Sequence, residues 1–243
     1  MNIAVIFAGG VGARMGNIDM PKQFLEVDGI PVMIHTLMKF ENCKEIDYIS
    51  IACISDYISY LEELLVKYKI KKVRWISPGG STGQLSIFNG VKAVYEDKEI
   101  PRDATILVHD AVRPMIDEEL ILSNIKKVKE EGNAVTVCGA IETIFMSENS
   151  KDIESILNRD NAYHAKAPQS FPLEELYNAH IDAIEKEDIN NWDSCSLMFK
   201  NGVTLSFVLG KSSNIKITTM EDFYIFETMY HLEKKRRRLV LYE

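Results

Sequence analysis

Short apolar runs alternate along the first 140 residues with stretches in which apolar positions recur every three or four residues. The runs have the length of buried strands, and the stretches between them have the period of amphipathic helices. The predicted strands are Ile3–Phe7, Tyr48–Cys53, Val73–Ile76, Thr105–Val108 and Ala134–Ala140. The predicted helices are Val32–Phe40, Ile58–Tyr68, Leu85–Tyr95 and Glu118–Lys129. This alternation predicts an α/β fold in which helices flank a mostly parallel sheet, with ligands bound beyond the carboxyl ends of the strands.

The alternation stops at Glu142–Lys166, which is polar and weakly periodic and is predicted to form an extended arm or lid. A helix is predicted after Phe171-Pro172 and a strand near Val203–Leu209. The last helix is predicted from Thr219, with Asp222 at the position of a capping box. Because the chain has no repeat and no low-complexity linker, we predict one domain over 1–243 with an arm at about 142–166.

Composition excludes several classes of protein. The net charge of −8 disfavours a general nucleic-acid partner, because such binding needs a basic face. No apolar run reaches the ~18 residues of a membrane span, and the N-terminal run is predicted to be a strand and not a signal peptide. The cysteines Cys43, Cys53, Cys138 and Cys195 are scattered, which argues against a zinc site or disulfides. We therefore predict a cytoplasmic protein with reduced cysteines.

A glycine-rich segment, AGGVGARMG, follows the first predicted strand. Glycines let a backbone turn tightly and approach a ligand, and loop N–H groups can hold phosphates. The spacing of Gly10, Gly12 and Gly16 differs by one residue from a dinucleotide-binding loop, which disfavours an NAD-dependent dehydrogenase. Arg14 inside the loop and Lys22 after it favour a triphosphate ligand. The alternative is an ordinary glycine turn with surface cations.

Two charged residues follow the fourth predicted strand in the motif VHDAVRP. Asp110 is placed to hold Mg²⁺ through carboxylate oxygens, and Arg113 to contact a phosphate through two N–H groups. The alternative is a simple ion pair between the two side chains. His109 is interpreted as a support for packing or for the loop.

Two weaker motifs follow other strands. The Gly-Ser loop around Gly79 is expected to approach a base or ribose, although such loops are common. Lys216 is expected to reach phosphates, although an isolated lysine is usually a solvated surface residue. Together with the cations of the stronger motifs, these residues predict a site for a triphosphate and a second phosphate.

The motifs AGGxGxRMG, PKQF, VHDAVRP, PQSF and NIKITT together resemble the cytidylyltransferases that activate methylerythritol phosphate or ribitol phosphate. The resemblance extends from about residue 3 to about residue 228. PKQF, PQSF and NIKITT look closer to the ribitol-phosphate branch, which serves teichoic acid and capsule synthesis.

The resemblance implies a Rossmann-like nucleotidyltransferase fold with a protruding β-arm, a homodimer formed through that arm, and a requirement for Mg²⁺. It implies that CTP reacts with a small alditol phosphate, ribitol 5-phosphate or a glycerol phosphate, to give the CDP-alditol and pyrophosphate. Three alternatives remain open at this point. They are a 2-C-methyl-D-erythritol 4-phosphate cytidylyltransferase, a transferase that uses UTP or dTTP with a sugar 1-phosphate, and a non-catalytic CTP-binding module.

The same resemblance implies roles for individual residues. The residues at the reacting phosphates would be Arg14, Lys22 and Lys216. Those around the nucleotide would be Ala8, Gly9, Gly10, Gly12, Gly79, Gly80, Ser86 and Asp110. Asp110 would also contact a metal held mostly by nucleotide phosphates. The residues around the acceptor would be Arg113, Thr143, Arg159, Ala167, Trp192 and Asp193, with Arg159 supplied by the arm of the second subunit.

The chain departs from the family pattern at four positions. Ser81 and Gly83 stand where an acidic residue and an arginine are expected, which predicts looser nucleotide contacts. Ala167 and Trp192 stand where threonines are expected. Because a lost hydroxyl changes which substrate hydroxyl is recognised, and an indole fills space, we expect a smaller acceptor such as glycerol phosphate. The alternative is that Trp192 points into the core and leaves the acceptor pocket unchanged.

Overall fold

The computed structural model of the protein describes residues 1–9 and 20–240. The strands are β1 (Asn2–Ala8), β2 (Glu26–Val27), β3 (Ile30–Pro31), β4 (Tyr48–Cys53), β5 (Val73–Pro78), β6 (Thr105–Asp110), β7 (Ala134–Gly139), β8 (Ile144–Met146), β9 (Ser155–Leu157), β10 (Tyr163–Pro172) and β11 (Phe207–Leu209). The helices are α1 (Val32–Asn42), α2 (Ile58–Lys67), α3 (Gly83–Tyr95), α4 (Glu118–Glu131), α5 (Leu173–Glu185), α6 (Ser194–Lys200) and α7 (Met220–Val240).

Seven strands form the central sheet in the order β11-β7-β10-β6-β1-β4-β5. Only β10 within this sheet runs antiparallel to its neighbours, β6 and β7. The pairs β1–β4, β1–β6, β4–β5 and β7–β11 are parallel. The predicted α/β fold with a mostly parallel sheet is therefore confirmed.

Both faces of the sheet are buried, and β1 shows how. Ala4 and Ile6 pack on one face with residues of α1, α2 and α4, whereas Ile3 and Val5 pack on the other with α3, α5 and α6. Successive side chains of a strand point to opposite faces, so a strand covered by helices on both sides must be apolar throughout. This is why the first strand is a continuous apolar run.

Side-chain caps fix where several helices begin. Thr82 and Asp117 accept hydrogen bonds from the first-turn N–H groups of α3 and α4. Before α7, Asp222 Oδ2 accepts hydrogen bonds of 2.8 Å from the backbone N–H groups of Thr218 and Thr219, and Thr219 Oγ1 accepts one from Asp222 N. This reciprocal pattern confirms the predicted capping box. In the described part of the chain, no helix is both long and apolar enough to cross a membrane.

The segment predicted as an arm has two parts. Strands β8 and β9 pair as an antiparallel hairpin with Phe145 opposite Ile156. The last residues of the predicted arm, from Tyr163 onward, instead begin β10 and pair with β7 in the central sheet. The sequence pattern hides this strand, because Pro168 has no N–H to donate and the register shifts between Ala165 and Gln169.

Two further elements differ from the sequence prediction. The strand expected near Val203–Leu209 forms ladder pairs only at Phe207–Leu209. The short helix α6 was not predicted; it begins because the Asp193 side chain caps it at Ser196 N.

Candidate active site

The predicted site residues gather at one edge of the sheet. Gly9 follows β1, Gly79 follows β5, and Asp110 ends β6, so all three lie at the carboxyl ends of parallel strands. The first half of β10 reaches the same edge, because it runs antiparallel to β6 and β7. Strand topology therefore places residues distant in sequence around one cleft, as expected for open α/β sheets.

The segments 8–9 and 79–86, which we call the glycine loops, meet backbone to backbone. A Cβ on Gly79 would lie 2.9 Å from the Cα of Gly9, and one on Gly9 would collide with the Ser86 hydroxyl. Gly79 N donates a 2.6 Å hydrogen bond to the carbonyl oxygen of Cys53. Only glycine allows such an approach, so these residues are glycines for a steric reason.

Ser86 closes the second glycine loop. Its Oγ accepts a hydrogen bond of 3.0 Å from Gly80 N and donates one of 2.9 Å to the carbonyl oxygen of Thr82. The first loop is anchored through Ala8, whose carbonyl oxygen accepts a 2.8 Å hydrogen bond from Gln23 Nε2. The structure thus brings together five of the predicted nucleotide-binding residues: Ala8, Gly9, Gly79, Gly80 and Ser86. Gly10, Gly12 and Arg14, which were predicted to join them, lie outside the described residues.

Next to the glycine loops lies a cleft of about 200 Å³, which we call the cationic cleft. The predicted residues that line it are Asp110, Arg113, Ala167, Trp192, Asp193 and Lys216. The other charged or polar residues that line it include Lys166 and Gln169. Three of its side chains carry positive charge in a protein whose net charge is negative, so the cleft suits an anionic ligand.

Asp110 organises the charges of the cationic cleft. Its Oδ2 lies 3.0 Å from Arg113 Nε and its Oδ1 lies 2.6 Å from Lys216 Nζ. Burial would raise the pKa of this carboxyl group, but the charges of Arg113 and Lys216 outweigh burial and hold its pKa well below the ordinary value. The ion pair that the sequence left as an alternative is present, and it lies inside the cleft.

The other contacts of these cations limit what each can do. Arg113 Nη1 donates a 2.7 Å hydrogen bond to the carbonyl oxygen of Asn214, so two of its nitrogens serve the protein itself. The Lys216 side chain is 41% exposed and its Nζ lies 5.6 Å from the centre of the Phe7 ring. Lys216 is therefore the more accessible of the two for a ligand phosphate. Lys22 lies beside it, because its Nζ donates a 3.0 Å hydrogen bond to the carbonyl oxygen of Ile217.

His109 is a neutral support for this network. Burial lowers its pKa to about 4, and Nε2 lies 3.1 Å from the carbonyl oxygen of Arg113. The ring packs edge-on against Phe40 at 5.1 Å between centroids. This agrees with its interpretation from the sequence.

The described residues offer Mg²⁺ few protein ligands. Among the described residues, no group of three or more His, Cys, Asp or Glu side chains could enclose a metal ion. Mg²⁺ is commonly held by one or two carboxylates together with substrate phosphates and water. Asp110 fits that arrangement through Oδ1, which pairs with the partly exposed ammonium group of Lys216, whereas its Oδ2 is held by the buried Arg113.

Two predicted acceptor residues are not brought to the cationic cleft within this chain. Thr143 and Arg159 are exposed and do not line it. Arg159 lies in the short 3₁₀ turn after the hairpin, where its Nη1 donates a 3.1 Å hydrogen bond to the carbonyl oxygen of Ile141. The contribution of Arg159 from a second subunit stays a prediction, as does the contact of Thr143 with the acceptor.

Trp192 differs from both sequence-based expectations. Its side chain lines the cationic cleft, yet the residue is 97% exposed. It neither packs into the core nor fills the interior of the cleft, but stands at the rim. Ala167 also lines the cleft; it is buried, and its carbonyl oxygen accepts a 2.8 Å hydrogen bond from Asn214 Nδ2. The expected narrowing by the indole is therefore not seen in the chain alone.

Asp193 has a different part from the one expected. Its Oδ1 caps α6 and its Oδ2 accepts a 2.9 Å hydrogen bond from Gln169 Nε2. Gln169 also accepts a hydrogen bond from Cys195 N, so it fixes the start of α6 against β10. Asp193 lines the cleft with its carboxylate already engaged, which indicates a mainly structural part.

Sequence reasoning missed Lys166. Its Nζ donates 3.2 Å hydrogen bonds to the carbonyl oxygens of Ser212 and Asn214, and burial lowers its pKa. This lysine was assigned to the arm, although it directly precedes the segment Ala167-Pro168-Gln169. A cation beside a predicted acceptor residue was the signal that could have found it.

Comparison with known proteins gives one family. The family model of IspD, 2-C-methyl-D-erythritol 4-phosphate cytidylyltransferase, matches residues 2–231. A ribitol-5-phosphate cytidylyltransferase of Vibrio parahaemolyticus serotype O3:K6 is 46% identical over 94% of this chain and 95% of that protein. One of Streptococcus agalactiae serotype III is 45% identical over 95% of both chains. The solved 4-diphosphocytidyl-2C-methyl-D-erythritol synthase of Anaerococcus prevotii is 30% identical, with a TM-score of 0.79 over 95% of both chains.

Proposed function

The chain belongs to the IspD family of cytidylyltransferases, and from this premise we propose that it transfers the cytidylyl group of CTP to ribitol 5-phosphate. The products are CDP-ribitol and pyrophosphate. Family membership confirms the prediction of a CTP-dependent nucleotidyltransferase and disfavours a role limited to CTP binding.

One observation of the structure carries the proposal. The glycine loops, whose glycines carry no side chains, lie at the same sheet edge as the cationic cleft, where Arg113, Lys166 and Lys216 surround a space of about 200 Å³. A nucleotide on the loops would place its phosphates toward these cations, and a second phosphate would find charge partners in the cleft. A site for two phosphorylated substrates fits phosphoryl-type transfer better than hydrolysis or hydride transfer.

The choice of ribitol 5-phosphate as acceptor comes from the relatives. Two proteins named for that acceptor are 45% and 46% identical over nearly the whole chain, whereas the solved methylerythritol enzyme is 30% identical. The Ala167 and Trp192 differences support an acceptor other than methylerythritol phosphate. The rim position of Trp192 leaves the cleft open to a five-carbon chain, which favours ribitol over glycerol phosphate.

The proposed reaction is a single in-line displacement. A phosphate oxygen of the acceptor forms a bond to the α-phosphorus of CTP, while the bond from that phosphorus to the oxygen bridging the β-phosphate breaks. The electron pair leaves with pyrophosphate. Lys216 and Lys22 would stabilise the negative charge that builds on the phosphates, as we predict for Arg14, and Asp110 keeps Lys216 oriented before substrate arrives. The protein contributes positioning and charge, and forms no covalent intermediate.

Mg²⁺ and a second subunit belong to the same proposal. Asp110 would hold the metal, which neutralises phosphate charge when bound. The hairpin of β8 and β9 exposes Phe145, Met146, Ile156 and Leu157, an apolar surface suited to a second copy of the arm. We further place the enzyme in the cytoplasm, where the CDP-alditol would supply a capsule or teichoic-acid-type polymer.

The test is pyrophosphate release from CTP and Mg²⁺ with ribitol 5-phosphate, glycerol 2- and 3-phosphate, and methylerythritol 4-phosphate in parallel. Release that is fastest with ribitol 5-phosphate, and that is lost with UTP, is the expected result. Faster release with methylerythritol 4-phosphate than with ribitol 5-phosphate would show that the proposed acceptor is wrong. With no release in any reaction, calorimetric binding of CTP alone would indicate a non-catalytic module.

A further inference from the structure

Segment 188–193, between α5 and α6, brings Trp192 and Asp193 to the cationic cleft. It has no regular secondary structure of its own, so its position depends on side-chain contacts. Lys200 and Gln169 hold the two ends of the segment through Asp188 and Asp193. Its remaining contacts come from the start of α3, the helix that begins in the second glycine loop. The two halves of the site are thus joined by a short path through the protein.

Gln84, in the first turn of α3, makes most of this connection. Its Nε2 donates a 3.0 Å hydrogen bond to the carbonyl oxygen of Asp188. Its Oε1 accepts hydrogen bonds from the backbone N of Asn191 at 2.8 Å and from Asn191 Nδ2 at 3.2 Å. Thr82 adds a fourth contact, because its Oγ1 donates a 2.9 Å hydrogen bond to the carbonyl oxygen of Ile189.

This connection is buried and therefore stiff. Gln84 is 3% exposed and Asn191 is 7% exposed. Because a buried amide that loses its partners is costly, the hydrogen bonds of Gln84 tie the loop to segment 188–193. Ser86, two residues after Gln84, accepts a hydrogen bond from Gly80 N in the loop. Trp192 directly follows Asn191 at the rim of the cleft. Gln84 and Asn191 therefore form a short path between the second glycine loop and the rim of the cleft.

We propose that Gln84 is a positioning residue that couples binding of CTP at the glycine loops to the placement of Trp192 at the acceptor cleft. The identity of the two ligands rests on the proposed function, whereas the connection itself is a property of the chain. Coupling between two sites is reciprocal, so CTP raises the affinity for the acceptor and the acceptor raises the affinity for CTP by the same factor.

The first test compares Gln84→Met with the parent enzyme. Methionine has nearly the same length and volume but makes none of the three hydrogen bonds. We expect the acceptor KM to rise about tenfold or more, within the usual range of coupling energies, while the dissociation constant for CTP alone changes less than about threefold. A residue with a merely structural role would lower stability without this separation of the two substrates.

Asn133→Leu is the matched control. Asn133 is also a buried amide that ties down a loop, since it donates to the carbonyl oxygen of Thr204 and accepts from Ser206 N. It stands just before β7, at the sheet edge opposite the site. The control should lower the unfolding temperature to a similar degree and leave both substrate constants unchanged. An equal rise in the acceptor KM in this variant would overturn the proposal.

The second readout does not depend on the acceptor. The chain has two tryptophans, so in a Trp75→Phe background the emission reports Trp192 alone. We expect CTP to change the acrylamide quenching of Trp192, and Gln84→Met to abolish the change while calorimetry still shows CTP binding. If CTP binds and the quenching of Trp192 does not change in the parent, the coupling does not exist.

The two hypotheses fail in different ways. If ribitol 5-phosphate gives no turnover but CTP still changes Trp192 only when Gln84 is present, the proposed acceptor is wrong and the coupling stands. If turnover is normal and Gln84→Met leaves the acceptor KM unchanged, the coupling is wrong and the proposed function stands. Should Gln84→Met not fold, Asn191→Ala removes only the side-chain bonds and must give a smaller shift of the acceptor KM in the same direction.

Discussion

The two halves of the site are built in opposite ways. In the glycine loops, side chains are missing at Gly9, Gly79 and Gly80, and atoms of Ser86, Gly9 and Leu85 occupy the space that each Cβ would need. In the cationic cleft, by contrast, charged side chains are present, and Asp110 and Lys216 hold each other in an ion pair. One half is specified by steric exclusion and the other by electrostatics.

This difference predicts which substitutions each half of the site tolerates. Tightly packed backbone tolerates almost no added volume, whereas a cluster of charges tolerates changes of shape and responds to loss of a charge. Substitutions that add a methyl group should therefore damage the glycine loops, and substitutions that remove a charge should damage the cleft.

The largest effect is expected from Lys216→Ala. Removal of a charge aimed at the reacting phosphates should lower kcat by about 100- to 1000-fold, because preorganised charges of this kind contribute that much to transition-state stabilisation. The fold should persist, since the side chain is 41% exposed. Steady-state pyrophosphate release measures the loss.

Lys211→Ala is the control for this prediction. Lys211 lies five residues earlier and pairs with Asp117 on the surface. Its loss should leave kcat within about twofold, because exposed ion pairs contribute little. Equal activity in both variants would show that Lys216 does not act on the phosphates.

The next effect is steric and separates Gly80 from Gly83. A Cβ on Gly80 would lie 2.7 Å from the backbone carbon of Leu85, whereas a Cβ on Gly83 would meet nothing within 4 Å. Gly80→Ala should lower the free energy of unfolding by about 1–3 kcal/mol and weaken CTP binding, as overpacking does. Gly83→Ala should change neither, or stabilise slightly.

Urea denaturation and calorimetry with CTP measure the pair. If Gly83→Ala weakens CTP binding as much as Gly80→Ala does, steric exclusion is not what defines the glycine loops.

Much of the fold could be predicted because buried parallel strands leave a strong pattern. Ile3–Phe7 and Tyr48–Cys53 were found within one or two residues, since both faces of these strands are covered and nearly every position is apolar. Strand β10 was not found. Its first half runs at the site, where polar residues replace the apolar pattern, and Pro168 interrupts the ladder.

Site residues could be predicted where the residue type and its place after a strand are enough to indicate a role. Gly79 and Asp110 follow strands, and strand topology brings them together. Contacts that arise from folding were not visible: Lys166 counts as a site residue only because β10 carries it next to Asn214. The exposure of Trp192 at the rim was likewise beyond reach, because exposure depends on neighbours distant in sequence.

An effect of intermediate size is expected on the pH dependence of stability, and it comes from His180 in α5. Burial lowers the pKa of His180 to about 4, and its ring packs near Phe88 of α3. The unfolded chain takes up a proton near pH 6.5 and the folded chain does not, so stability is full above pH 6.5 and falls as the pH drops toward 4. Between pH 7 and 5 this single histidine accounts for about 2 kcal/mol.

His180→Leu should therefore reduce the loss of stability between pH 7 and pH 5 by about 2 kcal/mol, as measured by urea denaturation at both values. Burial also lowers the pKa of His109 to about 4, and the pH dependence that His109 causes remains in the variant. Asp110 does not interfere, because its lowered pKa confines its effect to below about pH 4. An unchanged pH dependence would show that folding does not lower the pKa of His180.

The smallest effect is expected where the chain departs from its family. Gly83 stands where the family resemblance predicts an arginine, and a Cβ there would meet nothing within 4 Å. Gly83→Arg should therefore fold normally and strengthen CTP binding by about two- to fivefold, the range of an exposed ion pair. The gain should shrink at high salt, because screening weakens exposed charges. Gly83→Gln, which adds similar length without charge, separates charge from contact area in calorimetric titrations at low and high salt. If the glutamine variant gains as much CTP affinity as the arginine variant, added packing explains the gain, and a positive charge at position 83 does not.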